Sequence, residues 1–326
     1  AIGNQYFRYY NLANAEAITL SGQVSIRWIE NKINGYLNKL LSTEEVDYVV
    51  ASDTDSIYLN LGPLVDKFLS NKSGDKAAVV SLLDKICKEK LETFIQRAYE
   101  ELATYVSAYD QKMIMKRENI ADKGIWTAKK RYILNVWDSE GVRYAQPKLK
   151  MMGIEAVKSS TPAPCRQKIK DALNVIMNEN EEAAQKFIAD FREEFTSLPV
   201  EDISFPRGCN NLNKWSNPAT VYTKGTPIHV RGALLYNFHI KKNKLTHKYP
   251  LIQDGEKIKF VYLKTPNRIN ENVVSFFQTF PKELDLDKQV DYDLQFEKSF
   301  LDPLKVIMDT IGWKPEKVAS LEFLFA

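Results

Sequence analysis

Residues that commonly build compact chemical sites are scarce in this chain: 326 residues include three cysteines and three histidines. Cys87, Cys165 and Cys209 lie far apart and form no CxxC pair. They supply no disulfide framework, which fits a reducing compartment. His229, His239 and His247 have no zinc-ligand spacing beside those cysteines. No run of about 18 apolar residues occurs, so no membrane-spanning helix is expected. Ala1-Ile2-Gly3-Asn4 has no basic-then-apolar signal pattern. Thirteen glycines and thirteen prolines make no low-complexity segment, and no internal repeat is visible. A one-sided charge is missing too: 45 Lys and Arg against 42 Asp and Glu leave +3, less than a dedicated nucleic-acid domain carries.

What is present is ordinary globular material, 44% hydrophobic and 27% charged, enough for one large core or two smaller ones. The small net charge is unevenly spread. Basic residues crowd into Lys112–Lys170, with the runs Lys129-Lys130-Arg131 and Lys148-Leu149-Lys150. A local basic strip matters more to a phosphate backbone than the average charge does.

Hydrophobic spacing predicts a helix over 14–41, with Asn14 as its N-cap and Ile18, Val24, Ile26, Ile29, Ile33 and Leu37 as apolar positions. Tyr48-Val49-Val50-Ala51 and Ile57-Tyr58-Leu59 then bracket a turn-forming cluster, the signature of a β-hairpin. One or two helices are expected over 76–108. Strands are expected over 113–146, beginning with Met113-Ile114-Met115 and turning back at Asp138-Ser139-Glu140-Gly141. Pro162 and Pro164 mark a break, and the best single boundary lies near Gly153. Helices are expected at about 165–180, 181–197 and 290–309, with an irregular stretch over 205–280.

The hairpin tip, Ser52-Asp53-Thr54-Asp55-Ser56, sets two carboxylates at i and i+2 beside open solvent. Mg²⁺ takes oxygen ligands and keeps waters and substrate phosphates in its shell. Two such ions roughly 4 Å apart can clamp the attacking and leaving oxygens of a phosphoryl transfer. Asp-Thr-Asp is also good turn chemistry, because Asp bonds its own backbone there, so the tripeptide alone favours a plain turn. The flanking sequence shifts that balance.

Val50-Ala51-Ser52-Asp53-Thr54-Asp55-Ser56-Ile57-Tyr58 resembles the Tyr-Gly-Asp-Thr-Asp-Ser signature of family B DNA polymerases. Gly3-Asn4-Gln5-Tyr6-Phe7-Arg8-Tyr9-Tyr10, followed by Ala17-Ile18-Thr19, looks like the start of the second palm section in polymerases of T-even-type bacteriophages. Trp126-Thr127-Ala128-Lys129-Lys130-Arg131-Tyr132 and Pro147-Lys148-Leu149-Lys150-Met151-Met152-Gly153 resemble the same proteins. So do Lys158-Ser159-Ser160-Thr161-Pro162 and His229-Val230-Arg231-Gly232. The likeness runs through most of the chain, in order. One departure is Ala51-Ser52, where the family has Tyr-Gly; the serine adds a side chain to a tight turn.

The resemblance implies an α+β fold: a partial polymerase palm (residues 1–153, an antiparallel sheet with helices) followed by a mostly helical thumb (154–326). It gives Asp55 the metals, with Asp53 supporting and Glu118 a further carboxylate nearby. Two Mg²⁺ ions are the implied cofactor, with Mn²⁺ as a substitute. Lys129, Lys130, Arg131 and Tyr132 would hold primer-template DNA behind the active site. Read as a strand, they set Lys130 and Tyr132 on one face and Lys129 and Arg131 on the other. Lys158, Ser159, Ser160 and Arg231 suit phosphate contact. Leu321, Leu324 and Phe325 in the apolar tail resemble a sliding-clamp docking segment.

The family's first metal-binding aspartate segment, its nucleotide-gripping fingers helix and its proofreading exonuclease domain find no match here. The chain is therefore expected to need an N-terminal polymerase half and to be inactive alone, in the cytoplasm of an infected bacterial host. Deoxynucleoside triphosphates are the implied substrates. A DNA-gripping, clamp-docking processivity module without catalysis of its own is the alternative. A nucleotidyltransferase of another palm family is disfavoured by the downstream motifs. A palm lacking strands would also expose a sheet edge open to pairing.

Overall fold

The structure is a computed structural model that describes residues 1–69 and 75–317. The chain divides into two units, Ala1–Lys123 with Leu134–Lys150, and Gly124–Ile133 with Met151–Ala326. This division differs from a single cut near Gly153 by giving residues 124–133 to the second unit.

The first unit opens with α1, Leu12–Leu41, whose 30 residues span about 45 Å. Its cap is Asn11, not Asn14: the Asn11 side chain accepts the Asn14 amide. Ser42, at left-handed φ 58°, ends the helix, and its N–H bonds the Asn38 carbonyl. Strands β1 (Val49–Asp53) and β2 (Ser56–Leu59) form the expected antiparallel hairpin. Helix α2 (Gly62–Leu69) follows. Then α3 (Lys76–Ile86) and α4 (Glu92–Tyr105) are joined by one π-helical turn, Cys87–Leu91.

The core of this unit packs Ile29, Ile33 and Leu37 of α1 against Leu91, Ile95 and Leu102 and against Tyr48 and Val49. Burying each such aliphatic is worth about 1.5–3 kcal/mol. Trp28 donates its indole N–H to the Ala98 carbonyl at 2.8 Å, and Tyr36 stacks on Phe94 with centroids 4.4 Å apart. Ile18 and Val24, expected on the same apolar face, are exposed instead.

A three-stranded sheet in the order β3-β4-β5 follows: β3 Asn119–Ala128, β4 Arg131–Ser139 and β5 Val142–Met152. Two-residue turns join its strands. The second turn, Glu140-Gly141, has φ of 53° and 91°, the positive pair that a tight hairpin requires. Met113-Ile114-Met115, expected as a strand, has no ladder partner.

In the second unit α5 (Ala163–Asn178) pairs with α6 (Glu181–Phe195), matching the expected pair of helices. Short elements follow: α7 (Val200–Ile203), β6 (Phe205–Gly208), α8 (Leu212–Trp215), β7 (Ser216–Asn217) and β8 (Val221–Tyr222). Helix α9 (Ile228–Lys242) then lies on an antiparallel sheet, order β10-β9-β6, with β9 Lys257–Tyr262 and β10 Val273–Phe276. Regular elements thus run through the stretch over 205–280, with loops between them. Its strands are too short to show a clear period along the sequence.

Gly232 lets α9 sit directly on β10: a Cβ there would lie 2.5 Å from Ser275 Oγ and 2.9 Å from its backbone nitrogen. Helices α10 (Tyr292–Phe296) and α11 (Asp302–Thr310), with a π-helical turn between them, complete the unit. Phe191, Phe195, Phe296 and Phe300 form its aromatic centre, with Phe191 and Phe300 centroids 4.7 Å apart edge to face. No helix among the described residues is long and apolar enough to cross a membrane.

Candidate active site and basic hairpin

Asp53 ends β1 and pairs across the ladder with Ser56, so Thr54-Asp55 is a two-residue tip. The Asp55 amide bonds the Asp53 carbonyl at 2.5 Å, which folds the chain back tightly. Thr54 adopts φ 50°, a left-handed value that a β-branched residue rarely takes. Its hydroxyl donates to Asp53 Oδ1 at 3.0 Å, and Ser56 Oγ donates to the Asp53 carbonyl at 3.2 Å. The backbone strain is held beside the exposed Asp55 carboxylate, where side-chain aim matters.

Asp55 and Thr54 line a cleft of about 210 Å³. Gly22, Ser25 and Ile26 of α1 form one wall, and Tyr99 with Lys112–Met115 forms another. Lys112 lines the same cleft as Asp55, and its side chain is 81% exposed, with the ammonium 3.4 Å from Asp110. Sequence reasoning placed Lys112 only at the edge of a basic stretch. Nothing along the chain ties it to a turn 57 positions earlier.

Asp53 and Asp55 offer hard oxygen donors of the type Mg²⁺ takes. Glu118 is exposed and pairs with Lys150 at 3.6 Å. Among the described residues no group of three or more His, Cys, Asp or Glu is placed to hold a metal ion. The donor set thus fits part of a magnesium site and leaves the rest to be supplied by other groups.

Sequence reasoning also missed the unit's main buried charge cluster. Arg117, 7% exposed, donates to Asp84 at 2.5 Å and to Asp138, while its amide donates to Glu92 at 3.0 Å. Asp138 also accepts the Gly141 amide at 2.9 Å. Hydrogen bonds from Lys88, then Arg117, hold Asp84 below the usual carboxylate range against the opposing effect of burial. This cluster fastens α3 to β4 and its turn. Its members stand 33 and 21 positions from Arg117, beyond any local pattern.

The basic hairpin differs from its strand reading. Lys129 and Lys130 are the two turn residues between β3 and β4, with Lys130 at φ 60°. The alternation of faces therefore starts only at Arg131. Tyr132 is buried, its ring 6.2 Å from that of Trp126. Arg131 grips Glu155 in a two-pronged pair at 2.9 and 2.8 Å and also donates to the Gly153 carbonyl at 2.9 Å. Lys158 donates to the same Glu155 at 2.8 Å. Burial would raise the Glu155 carboxyl, but the hydrogen bonds from Arg131 and Lys158 prevail and hold it at about 2.

Arg207 donates to the Ser160 carbonyl at 2.6 Å and so fixes the turn at Ser159-Ser160. The structure therefore gathers the Lys129-Lys130 tip, Lys158, Ser159 and Ser160 on one framework within the second unit. Arg131 serves as its internal brace. Arg231 takes no part in it: it donates to Asn272 at 2.5 Å and lies 5.6 Å over the Tyr222 ring. Leu321, Leu324 and Phe325 lie outside the described residues.

Comparison with known proteins finds relatives along the whole chain. No family model matches the chain. Along its whole length it is 35% identical, over 337 aligned positions, to the DNA-directed DNA polymerase of Enterobacteria phage T4. It is 38% identical over 338 positions to that of Escherichia phage RB69. The chain is a homologue of the T4-type phage DNA polymerases. It spans about 37% of the length of each. The mixed helix-and-sheet architecture agrees with the α+β fold expected of a polymerase portion.

Proposed function

We propose that this chain is the C-terminal palm segment and the thumb of a family B DNA polymerase, acting on primer-template DNA in the infected bacterial host. Residues 1–153 are read as palm and 154–326 as thumb. The observation that carries the proposal is the Asp53–Asp55 hairpin, tipped by a strained threonine and facing a cleft, in a chain homologous throughout to phage polymerases. In this reading the primer 3′-hydroxyl attacks the α-phosphate of an incoming deoxynucleoside triphosphate and pyrophosphate leaves.

Asp55, with Asp53 beside it, would hold Mg²⁺, and Glu118 would lie close by. Bound Mg²⁺ supplies charge neutralisation and orients phosphate oxygens. The chain's own contribution is positional. The hairpin would present the Asp55 carboxylate, and Lys112, which lines the same cleft, would offer its ammonium to phosphate oxygens. The Lys129-Lys130 turn, with Lys158, Ser159 and Ser160, would grip duplex backbone while the Arg131–Glu155 pair braces it. The apolar tail at Leu321, Leu324 and Phe325 would dock on a sliding clamp.

With only part of the metal site, the chain by itself is expected to be inactive. The test is primer extension with Mg²⁺ and four nucleotides, by the chain alone, by the chain joined or mixed with the remaining polymerase portion, and by Asp55→Ala in both settings. Extension in the complete assembly alone, lost with Asp55→Ala, supports the proposal. Duplex binding without extension in any setting would favour a DNA-gripping module.

A further inference from the structure

The Arg207 guanidinium is part-buried, yet among the described residues no carboxylate answers it. Charges taken out of water are ordinarily paired. Other cations of the second unit follow that rule: Arg131 and Lys158 both close on Glu155, and Arg192 closes on Glu316. Arg207 meets only backbone carbonyls, that of Ser160 at 2.6 Å and that of Pro206 at 2.9 Å, and both accept from Nη1. Its Nε and Nη2 make no hydrogen bond among the described residues, and neither is a buried atom left without a partner, so both reach solvent. Those two nitrogens form the fork of a guanidinium that takes two phosphate oxygens at once.

The fork is held in place. Arg207 follows Phe205 by two residues on β6, so both side chains leave the same face of the strand. Phe205 stacks on Phe260 of β9 with centroids 5.1 Å apart, and the guanidinium carbon lies 5.5 and 5.9 Å from the two rings. The aromatic pair supports the cation on one side, and the Ser160 carbonyl fixes it on another. Its charge is not cancelled locally: His229 is pushed below its ordinary value by burial and then by Arg207.

The Ser160 bond sets this fork at the Ser159-Ser160 turn. The amides and hydroxyls of both serines have no partner among the described residues, and Ser159 is exposed. Lys158 already carries Glu155 on its ammonium at 2.8 Å. The cation without a carboxylate at this turn is therefore Arg207, which comes from 47 positions away.

We infer that Arg207, together with the donors of Ser159 and Ser160, forms a site for one backbone phosphate of duplex DNA. The inference rests on the polymerase reading, and it adds a contact that no local motif along the chain announces.

The experiment binds the full chain to a primer-template duplex and follows affinity by fluorescence anisotropy between about 0.1 and 1 M salt. Each phosphate contact contributes about 0.9 to the slope of log affinity against log salt. Arg207→Gln should lower the slope by about 0.9, which makes binding about 8-fold weaker at 0.1 M salt and nearly equal to wild type at 1 M. Ser159→Asp sets a carboxylate against the guanidinium from an exposed turn and should lower the slope by a similar amount. Urea unfolding checks that each variant is folded; should Arg207→Gln fail to fold, Ser159→Asp carries the test.

Loss of slope in the folded variants supports the inference. An unchanged slope overturns it even where affinity falls, because a brace that only shapes the turn releases no counterion. Millimolar inorganic phosphate that binds the wild type but not Arg207→Gln, with equal duplex slopes, would give the site to a free anion and overturn it too. A wild-type chain that binds no duplex at all would sink the DNA-binding reading itself, and the inference with it.

Discussion

Gly153 is the single residue on which the basic hairpin's placement turns. It adopts φ 67°, and a Cβ added there would lie 2.3 Å from the Lys130 carbonyl oxygen and 3.0 Å from Arg131 Cγ. The first contact is with backbone, which cannot swing away as a side chain can. Gly153→Ala therefore carries two penalties. The left-handed backbone costs about 1–2 kcal/mol for a residue with a Cβ. Forcing the hairpin tip outward costs about 1–3 kcal/mol more, the usual range for overpacking. Together they predict a loss of about 2–5 kcal/mol. Gly225→Ala is the internal reference: φ is 85° but the added Cβ meets nothing within 4 Å, so only the backbone penalty applies. Urea unfolding followed by tryptophan fluorescence reads both variants, and Trp126, close to Tyr132, reports on the hairpin itself. A Gly153→Ala midpoint equal to that of Gly225→Ala would refute the close-approach reasoning.

Asp55→Ala should abolish extension in the complete assembly while leaving the stability of this chain within about 0.5 kcal/mol, since the side chain is exposed; a large shift in the urea midpoint would contradict its placement. Glu155, held at about 2 against an ordinary value of 4.5, contributes stability that is fully present above pH 4.5 and lost as pH falls towards 2. The shift corresponds to about 3 kcal/mol at most, and Glu155→Gln should flatten that part of the stability–pH curve. Burial pushes Cys87, Cys165 and Cys209 up to about 11, so none should react with a thiol reagent at pH 8 until the protein unfolds. Fast labelling of the native chain would contradict that burial. Lys129→Ala and Lys130→Ala should each lower the salt dependence of duplex binding by about one unit of slope, with little sequence preference; an unchanged slope would remove that turn from the DNA interface.

The sequence by itself determined the acidic hairpin, the helix over 14–41, the helices after Pro162 and the α+β class. Each of these rests on near-neighbour rules: periodicity, turn residues and capping. Even the strained Thr54 tip is local, set by two residues between paired strands. Family motifs, carried by order along the chain, pointed to a polymerase that the homologues then supported. What the tertiary structure decided is which charges meet inside the fold. Arg131, a DNA contact by resemblance, and Lys158, suited to phosphate, both close on Glu155, across 24 and 3 positions. Arg117 finds Asp84 and Asp138 only after folding. Lys112 meets the Asp55 cleft in the same way. It also decided which apolar residues are covered: Ile18 and Ile29 share a stripe in the sequence, but only Ile29 has a core against it. A pattern along one chain states which face of a helix is apolar; only the packing of distant elements determines what, if anything, covers it.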